Sequence, residues 1–232
     1  MARILLIHGS CHGAWCWHAV LSHLRDAGHE ARAIDLPGCG DDPTPPGAVR
    51  LEDNVAAIAA AAEGPCVLVG HSLGGISITA AAEAMPERFA RLIYVAAWVP
   101  EDGQSARDLR DAAGAEALLE ATRVAPDRGS SWFDDAALAD LFYHDCPDGT
   151  LELARARLTP QPMAINTTPG RVSDAGRRVP RAYIRCETDR AIPPAYQRAA
   201  SAGLPTRELA CGHSPFFACP ERLAHHLTEL AT

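Results

Sequence analysis

The chain has 232 residues, enough for one α/β domain with a sizeable core, and its 47% apolar and 22% charged residues are ordinary for a globular protein. The formal net charge is -8, a balance that a phosphate backbone repels, so nucleic acid is not an expected partner. None of the 21 basic residues is lysine, which removes Schiff-base chemistry, pyridoxal phosphate attachment and any P-loop.

The first element read along the chain is the buried strand "ARILLIHG", ending at Gly9. This run and "CVLVG" are far too short to span a bilayer, and "MARILLIHGS" lacks the apolar stretch and cleavage site of a signal peptide. A cytoplasmic location without membrane association is therefore expected. A helix follows with Trp17, Leu21 and Leu24 on one face, stopped at Gly28. "EARAID" is a second strand, and the turn-rich "LPGCGDDPTPPG" leads into a helix that spaces Leu51, Val55, Ile58 and Ala62. "PCVLVG" is a third strand, "LGGISITAAAEAM" a helix and "RLIYVAA" a fourth strand.

The rhythm then breaks. From Asp102 to Arg178 no strand signal is visible, only helical pieces such as "ALADLFYH" and "TLELARARL". Leu138, Leu141, Phe142, Leu151 and Leu158 give this segment apolar faces to bury, so it reads as a helical cap and not as a linker. "RAYIRCE" and "TRELA" are strands five and six, and a last helix begins at Pro220 with Leu223, Leu227 and Leu230 on its buried face. Strand–helix alternation implies a six-stranded, mostly parallel sheet with helices on both faces. The core is then residues 1–101 and 179–232, with the cap at 102–178 inserted after the fourth strand.

Gly70-His71-Ser72-Leu73-Gly74 fits G-x-S-x-G, a nucleophile elbow, and lies where that motif requires, between a strand and a helix. The competing reading of Ser72 is a helix N-cap. A serine hydroxyl needs a base, and the base needs an orienting carboxylate, arriving in the order Ser, acid, His. Of ten histidines, His213 stands in the required loop, after strand six and before the last helix. His225 and His226 read as surface residues, His8 and His71 as packing and turn-shaping residues, and His144 as part of the cap. Asp189, in the loop after strand five, is the candidate acid. Glu187 nearby, and Glu101 or Asp102 after strand four, are the alternatives. The oxyanion hole calls for backbone N–H groups after the nucleophile and after strand one, which points to Leu73 and Ser10.

The eight cysteines show no C-x-x-C and no zinc-ligand spacing, and read as buried free thiols. No metal and no cofactor is expected. Trp98, Trp132, Phe142 and Phe216 are candidate apolar walls of a pocket between sheet and cap, with ordinary core as the competing reading of each.

Five stretches carry a resemblance: "HGSCHGAWCW" from His8, "GHSLGG" from Gly70, "AAWVPEDG" from Ala96, "CETDRAIP" from Cys186 and "CGHSPFFACPERL" from Cys211. Together they resemble the α/β-hydrolases of the plant methylesterase and hydroxynitrile lyase group, with similar bacterial esterases. The resemblance implies the α/β-hydrolase fold, a triad of Ser72, Asp189 and His213, and oxyanion donors at Ser10 and Leu73. It is weakest over the cap.

Within that group the cyanide-releasing lyases carry a threonine after the first-strand histidine and a lysine after the catalytic histidine. Here Gly9 and Ser214 stand at those positions. The expected function is a carboxylic ester hydrolase acting on a small apolar or aromatic ester, with a ligand-binding receptor and a hydroxynitrile lyase as alternatives. The partner it implies is a small-molecule ester, with a homodimer allowed.

Overall fold

The computed structural model describes residues 1–231. Nine strands run in chain order as β1 (Arg3–Ile7), β2 (Glu30–Ile34), β3 (Cys66–His71), β4 (Phe89–Val95), β5 (Thr122–Val124), β6 (Ser130–Phe133), β7 (Gln161–Pro162), β8 (Arg181–Cys186) and β9 (Thr206–Leu209). Six of them form one sheet in the order β2-β1-β3-β4-β8-β9, every pairing parallel.

The apolar runs of the central strands divide by the two-residue period of a strand. Ile4, Leu6, Val67, Val69, Ile93 and Val95 face one layer, where Trp17, Leu24, Leu223 and Leu227 pack. Those side chains come from the helices around His18–Asp26 and Pro220–Ala231, which lie against each other. Leu5, Ile7, Leu68, Leu92 and Tyr94 face the other layer and meet Ile58, Ile78 and Ala81. There the helices Leu51–Ala61 and Gly74–Ala84 pack together. The first buries Leu51, Asn54, Ile58 and Ala61. Asn54 thus lies where the spacing suggested Val55, and its Nδ2 donates to Ser77 Oγ at 2.9 Å.

β1 sends its chain to β2 on one side and is paired with β3 on the other, so the sheet order reverses beside β1. Ile7 pairs with Gly70, which brings the loop after β1 alongside the loop after β3. This is the crevice where ligands of such sheets bind.

Residues 102–178 build a third apolar cluster. Leu109, Leu118, Leu138, Leu141, Phe142 and Ile165 pack there on Leu73, Ile76 and Trp98 of the core. The segment is not purely helical. β5, β6 and β7 form a small antiparallel sheet within it, against the sequence expectation of no strand. Strands of two to four residues are too short to show a two-residue alternation, which is why periodicity misses them.

Among the described residues no helix is long and apolar enough to cross a membrane.

Gly75 opens the helix after the elbow against the end of β4. A Cβ there would lie 2.1 Å from the Trp98 carbonyl oxygen. Gly75→Ala gains roughly 1 kcal/mol of helix propensity but must push a backbone carbonyl away. The overlap wins, and a net loss of about 1–3 kcal/mol or more is expected. Urea denaturation checks this; an unchanged or raised midpoint contradicts it.

Candidate active site

Ser72 occupies the turn between β3 and the helix Gly74–Ala84 with φ at +52°, a left-handed conformation that strains an L-residue. The surroundings hold it there. Its N–H donates to the Val95 carbonyl at 3.2 Å, and its own carbonyl accepts from the Trp98 N–H at 3.1 Å. A Cβ on Gly9 would lie 2.8 Å from Ser72 Cβ, so only glycine lets the loop after β1 come this close.

The loops after β8 and β9 supply two further groups. His213 Nδ1–H donates to Asp189 Oδ2 at 2.8 Å, which leaves Nε2 as an acceptor for the Ser72 hydroxyl at 3.0 Å. Asp189 is 4% exposed and His213 2%, so the pair is shielded from water. Asp189 is itself fully engaged. Its Oδ1 accepts from the Ala191 and Ile192 N–H groups at 2.8 and 2.9 Å, and its Oδ2 also accepts from Gln197 Nε2 at 2.9 Å. These donors suit an acceptor-only carboxylate and fix its plane toward the imidazole.

The alternative acids lie elsewhere. Glu187 pairs with Arg185 and Arg198, Glu101 with Arg177, and Asp102 accepts from the Val172 N–H.

Several groups that sequence reading left in the background hold the site. Gln197 is completely buried, and its Oε1 accepts from the Cys186 N–H at 2.9 Å while its amide reaches Asp189. His71 Nε2–H donates to the His213 carbonyl at 2.8 Å and so pins the histidine loop. His12 Nδ1–H donates to the Ser10 carbonyl at 2.8 Å, and Tyr143 of the cap donates to His12 Nε2 at 2.8 Å. From the same segment Gln161 accepts from the Cys11 N–H at 3.1 Å. The loop carrying Ser10 is thus tied on both sides. No motif marks Gln197 or Tyr143: Gln197 folds back on the nearby Asp189 loop, and Tyr143 meets His12 from a distant part of the chain. Among the described residues, neither the Ser10 nor the Leu73 N–H donates a hydrogen bond within the chain.

A narrow cleft lies over Ser72, with about 520 Å³ of free space, its open mouth included. Ser10, Leu73 and His213 line it, together with Trp98 and Phe142 as expected. Two sequence-predicted walls are not there. Trp132 is 42% exposed on the outer face of β6, because the strand alternation that turns Ser131 and Phe133 to the cleft turns Trp132 away. Phe216 is fully buried behind the site, its ring 4.9 Å from His71 and 5.3 Å from Trp17. His144 packs on Gly212 and does not line the cleft.

The eight cysteines are free thiols, six buried and two half-buried. Burial pushes the Cys11 thiol up to about 12, so this neighbour of Ser10 is no thiolate rival to the serine. Among the described residues the grouping able to hold a metal is His225, His226 and Glu229 on the last helix. It does not belong to the cleft, and Glu229 already pairs with Arg207 at 2.8 Å.

Residues 4–226 match the alpha/beta hydrolase family. The chain belongs to that family. It is 30% identical to Methylesterase 7 of Arabidopsis thaliana over 249 residues, covering 99% of this chain and 96% of the relative. It is 28% identical to Methyl jasmonate esterase 1 of Vitis vinifera, covering 98% and 96%. Its structure superposes on that of a pyrethroid hydrolase from Sphingobium faniae with a TM-score of 0.89 at 29% identity, covering 99% of this chain and 97% of the other.

Burial holds His8, His12 and His71 below the ordinary histidine range, His12 at about 3. Unfolding exposes them to an ordinary value near 6.5. Below that pH the unfolded chain therefore binds protons that the folded chain refuses, and stability falls as pH falls. The loss is up to about 1.4 kcal/mol per pH unit for each histidine that stays neutral in the fold, and for His12 it continues down to about pH 3. The urea midpoint is expected to be lower at pH 5.5 than at pH 7; equal midpoints contradict this.

Proposed function

We propose that this chain hydrolyses carboxylic esters through an acyl-enzyme on Ser72. The observation that carries the reading is the unbroken hydrogen-bonded line from Ser72 Oγ through His213 to Asp189, set on a strained strand-to-helix turn at the floor of a cleft. The relatives named as esterases support the same chemistry.

In the reaction His213 Nε2 takes the Ser72 proton as Oγ attacks the ester carbonyl carbon. The tetrahedral oxyanion is met by the Ser10 and Leu73 N–H groups, whose freedom from other partners fits that use. The intermediate collapses, the C–O bond breaks, and the alkoxide takes the proton from His213 and leaves as the alcohol. Water then gives its proton to His213 and attacks the acyl-enzyme, and the second collapse returns the proton to Ser72 as the acid leaves. Asp189 keeps the proton of His213 on Nδ1 and stabilises the imidazolium that forms twice in the cycle. No step needs a metal or an organic cofactor. Trp98, Leu73 and Phe142 make the cleft apolar near the serine, which favours a small apolar or aromatic body on the substrate.

Ser72→Ala is expected to lower kcat by roughly 10^4-fold or more, with an unchanged urea midpoint. Asp189→Asn is expected to lower kcat on the order of 10^4-fold, by favouring the wrong imidazole tautomer. Glu187→Gln, in an ion-paired side chain outside the line, should do much less. Turnover of p-nitrophenyl butyrate by each variant decides. Near wild-type rates in Ser72→Ala, or a crippled Glu187→Gln, overturn the assignment. Undetectable turnover of every aryl and methyl ester by the wild type favours a receptor.

The lyase reading meets a steric obstacle as well as a missing lysine. A side chain at position 9 would overlap Ser72 Cβ and His71 Nδ1, both 2.8 Å from the Cβ position, so a threonine has no room there. Ser214, after His213, is a fully buried neutral residue. On one preparation we expect hydrolysis of small aryl esters and mandelonitrile cleavage no faster than the uncatalysed rate. Rapid cyanide release without ester turnover reverses the choice.

A further inference from the structure

The cap brings a cation into the cleft. Arg110 lies on the helix Ala106–Ala112, one turn after Ala106, and both residues line the space above Ser72. Asn166, on the helix Met163–Thr167, lines the same space, and the two helices pack against each other.

Neither side chain has a hydrogen-bond partner within the described chain. Among the described residues Arg110 makes no ion pair and no side-chain hydrogen bond, and its Nε is buried without a partner. Asn166 is 8% exposed, and its side-chain amide has no hydrogen bond within the chain. Arg155, a surface arginine of the same segment, instead grips Asp135 through two bonds of 2.7 and 2.9 Å. Burial lowers the Arg110 pKa, with Asp111 opposing, yet a guanidinium stays charged in proteins. A partly desolvated cation without a counter-ion is unfavourable, and its planar fork matches a carboxylate in two parallel bonds. The Asn166 amide is a further neutral donor in the same cleft. The other titratable groups lining the space, His12 and His71, are held neutral by burial, while His213 is committed to Asp189 and Ser72.

We propose that Arg110 and Asn166 form an anion subsite, and that the substrate is an ester carrying a free carboxylate beside an apolar body. This rests on the esterase reading above and narrows its substrate class. The carboxylate can belong to the acyl part or to the alcohol part of the ester, and paired substrates separate the two.

On the acyl side, mono-p-nitrophenyl glutarate is compared with p-nitrophenyl pentanoate. On the alcohol side, p-acetoxybenzoate is compared with p-acetoxybenzamide. Wild-type kcat/KM is expected to favour the anionic member of one pair. Arg110→Gln is expected to shrink that anionic-to-neutral ratio by roughly 10–100-fold, and Arg110→Lys by less, since it keeps charge without the fork. Arg107→Gln, at an exposed position of the same helix, should leave the ratio as it is. A ratio unmoved by Arg110→Gln, or a preference for the neutral member in both pairs, overturns the subsite.

Calorimetry on the wild type reads the subsite without turnover and without relying on a variant to fold. Glutarate or p-hydroxybenzoate should bind more tightly than glutaramide or p-hydroxybenzamide, and equal binding of acid and amide in both series overturns the subsite. Failure to hydrolyse any of these esters counts against the esterase reading, while calorimetry still decides the subsite.

Discussion

The left-handed backbone of Ser72, at φ +52°, is the constraint on which the site depends. Such a conformation costs about 1–3 kcal/mol in an L-residue, and it persists because the sheet surrounds it. The Val95 carbonyl and the Trp98 N–H fix the two faces of its peptide units, so the end of β4 acts as the clamp. Gly9 on one side and Gly75 on the other leave room for that clamp to close, each at a position where a Cβ would meet neighbouring atoms at 2.8 Å or less. The parallel pairing of β1, β3 and β4 therefore does more than build a core: it sets the hydroxyl above the sheet, within reach of loops from β8 and β9.

The same economy governs the electrostatics. The ionisable partner of His213 within this buried region is Asp189, and its oxygens are spoken for by two backbone amides, Gln197 and the imidazole. His8, His12 and His71 are held neutral by burial, so none of them competes as a cation near the serine. Their use is positional. His71 ties down the His213 backbone, and His12, backed by Tyr143, ties down Ser10. Neutrality of these rings keeps them from opposing the imidazolium that forms on His213.

The core of this arrangement was legible in the sequence because each part has a local signature. Apolar runs mark the central strands of the sheet, the G-x-S-x-G turn marks Ser72, and chain order at strand ends points to Asp189 and His213. What escaped notice has no local signature. Gln197 looks like any helical polar residue, and its importance arises from burial beneath the loop of Asp189. The strands at Thr122–Val124, Ser130–Phe133 and Gln161–Pro162 are too short for a period to show. Trp132 differs from the sequence expectation for the same reason: without the strand register, nothing local says that Ser131 turns inward and the tryptophan outward. Phe216 lies three residues after His213 in the sequence, yet does not reach the cleft. The helix Pro215–Ala218 instead turns its ring into the layer behind.

The division between what was legible and what was not follows the division of labour in the molecule. The reacting groups sit on the ends of sheet strands, where backbone hydrogen bonding fixes geometry and tolerates little change. The cap meets them through short elements joined by packing of Leu109, Leu118, Phe142 and Ile165 on Leu73 and Trp98, an apolar contact that constrains volume more than chemistry. Tyr143 and Gln161 of the cap hold the Ser10 loop, whereas Arg110 and Asn166 on its inner side make no hydrogen bond to the Ser72–His213–Asp189 line. An unpaired guanidinium at Arg110 fits that logic: it is unfavourable for the empty fold, and so it gains its use only when a ligand supplies the missing charge. Reactivity resides in the sheet, and discrimination among esters in the segment laid over it.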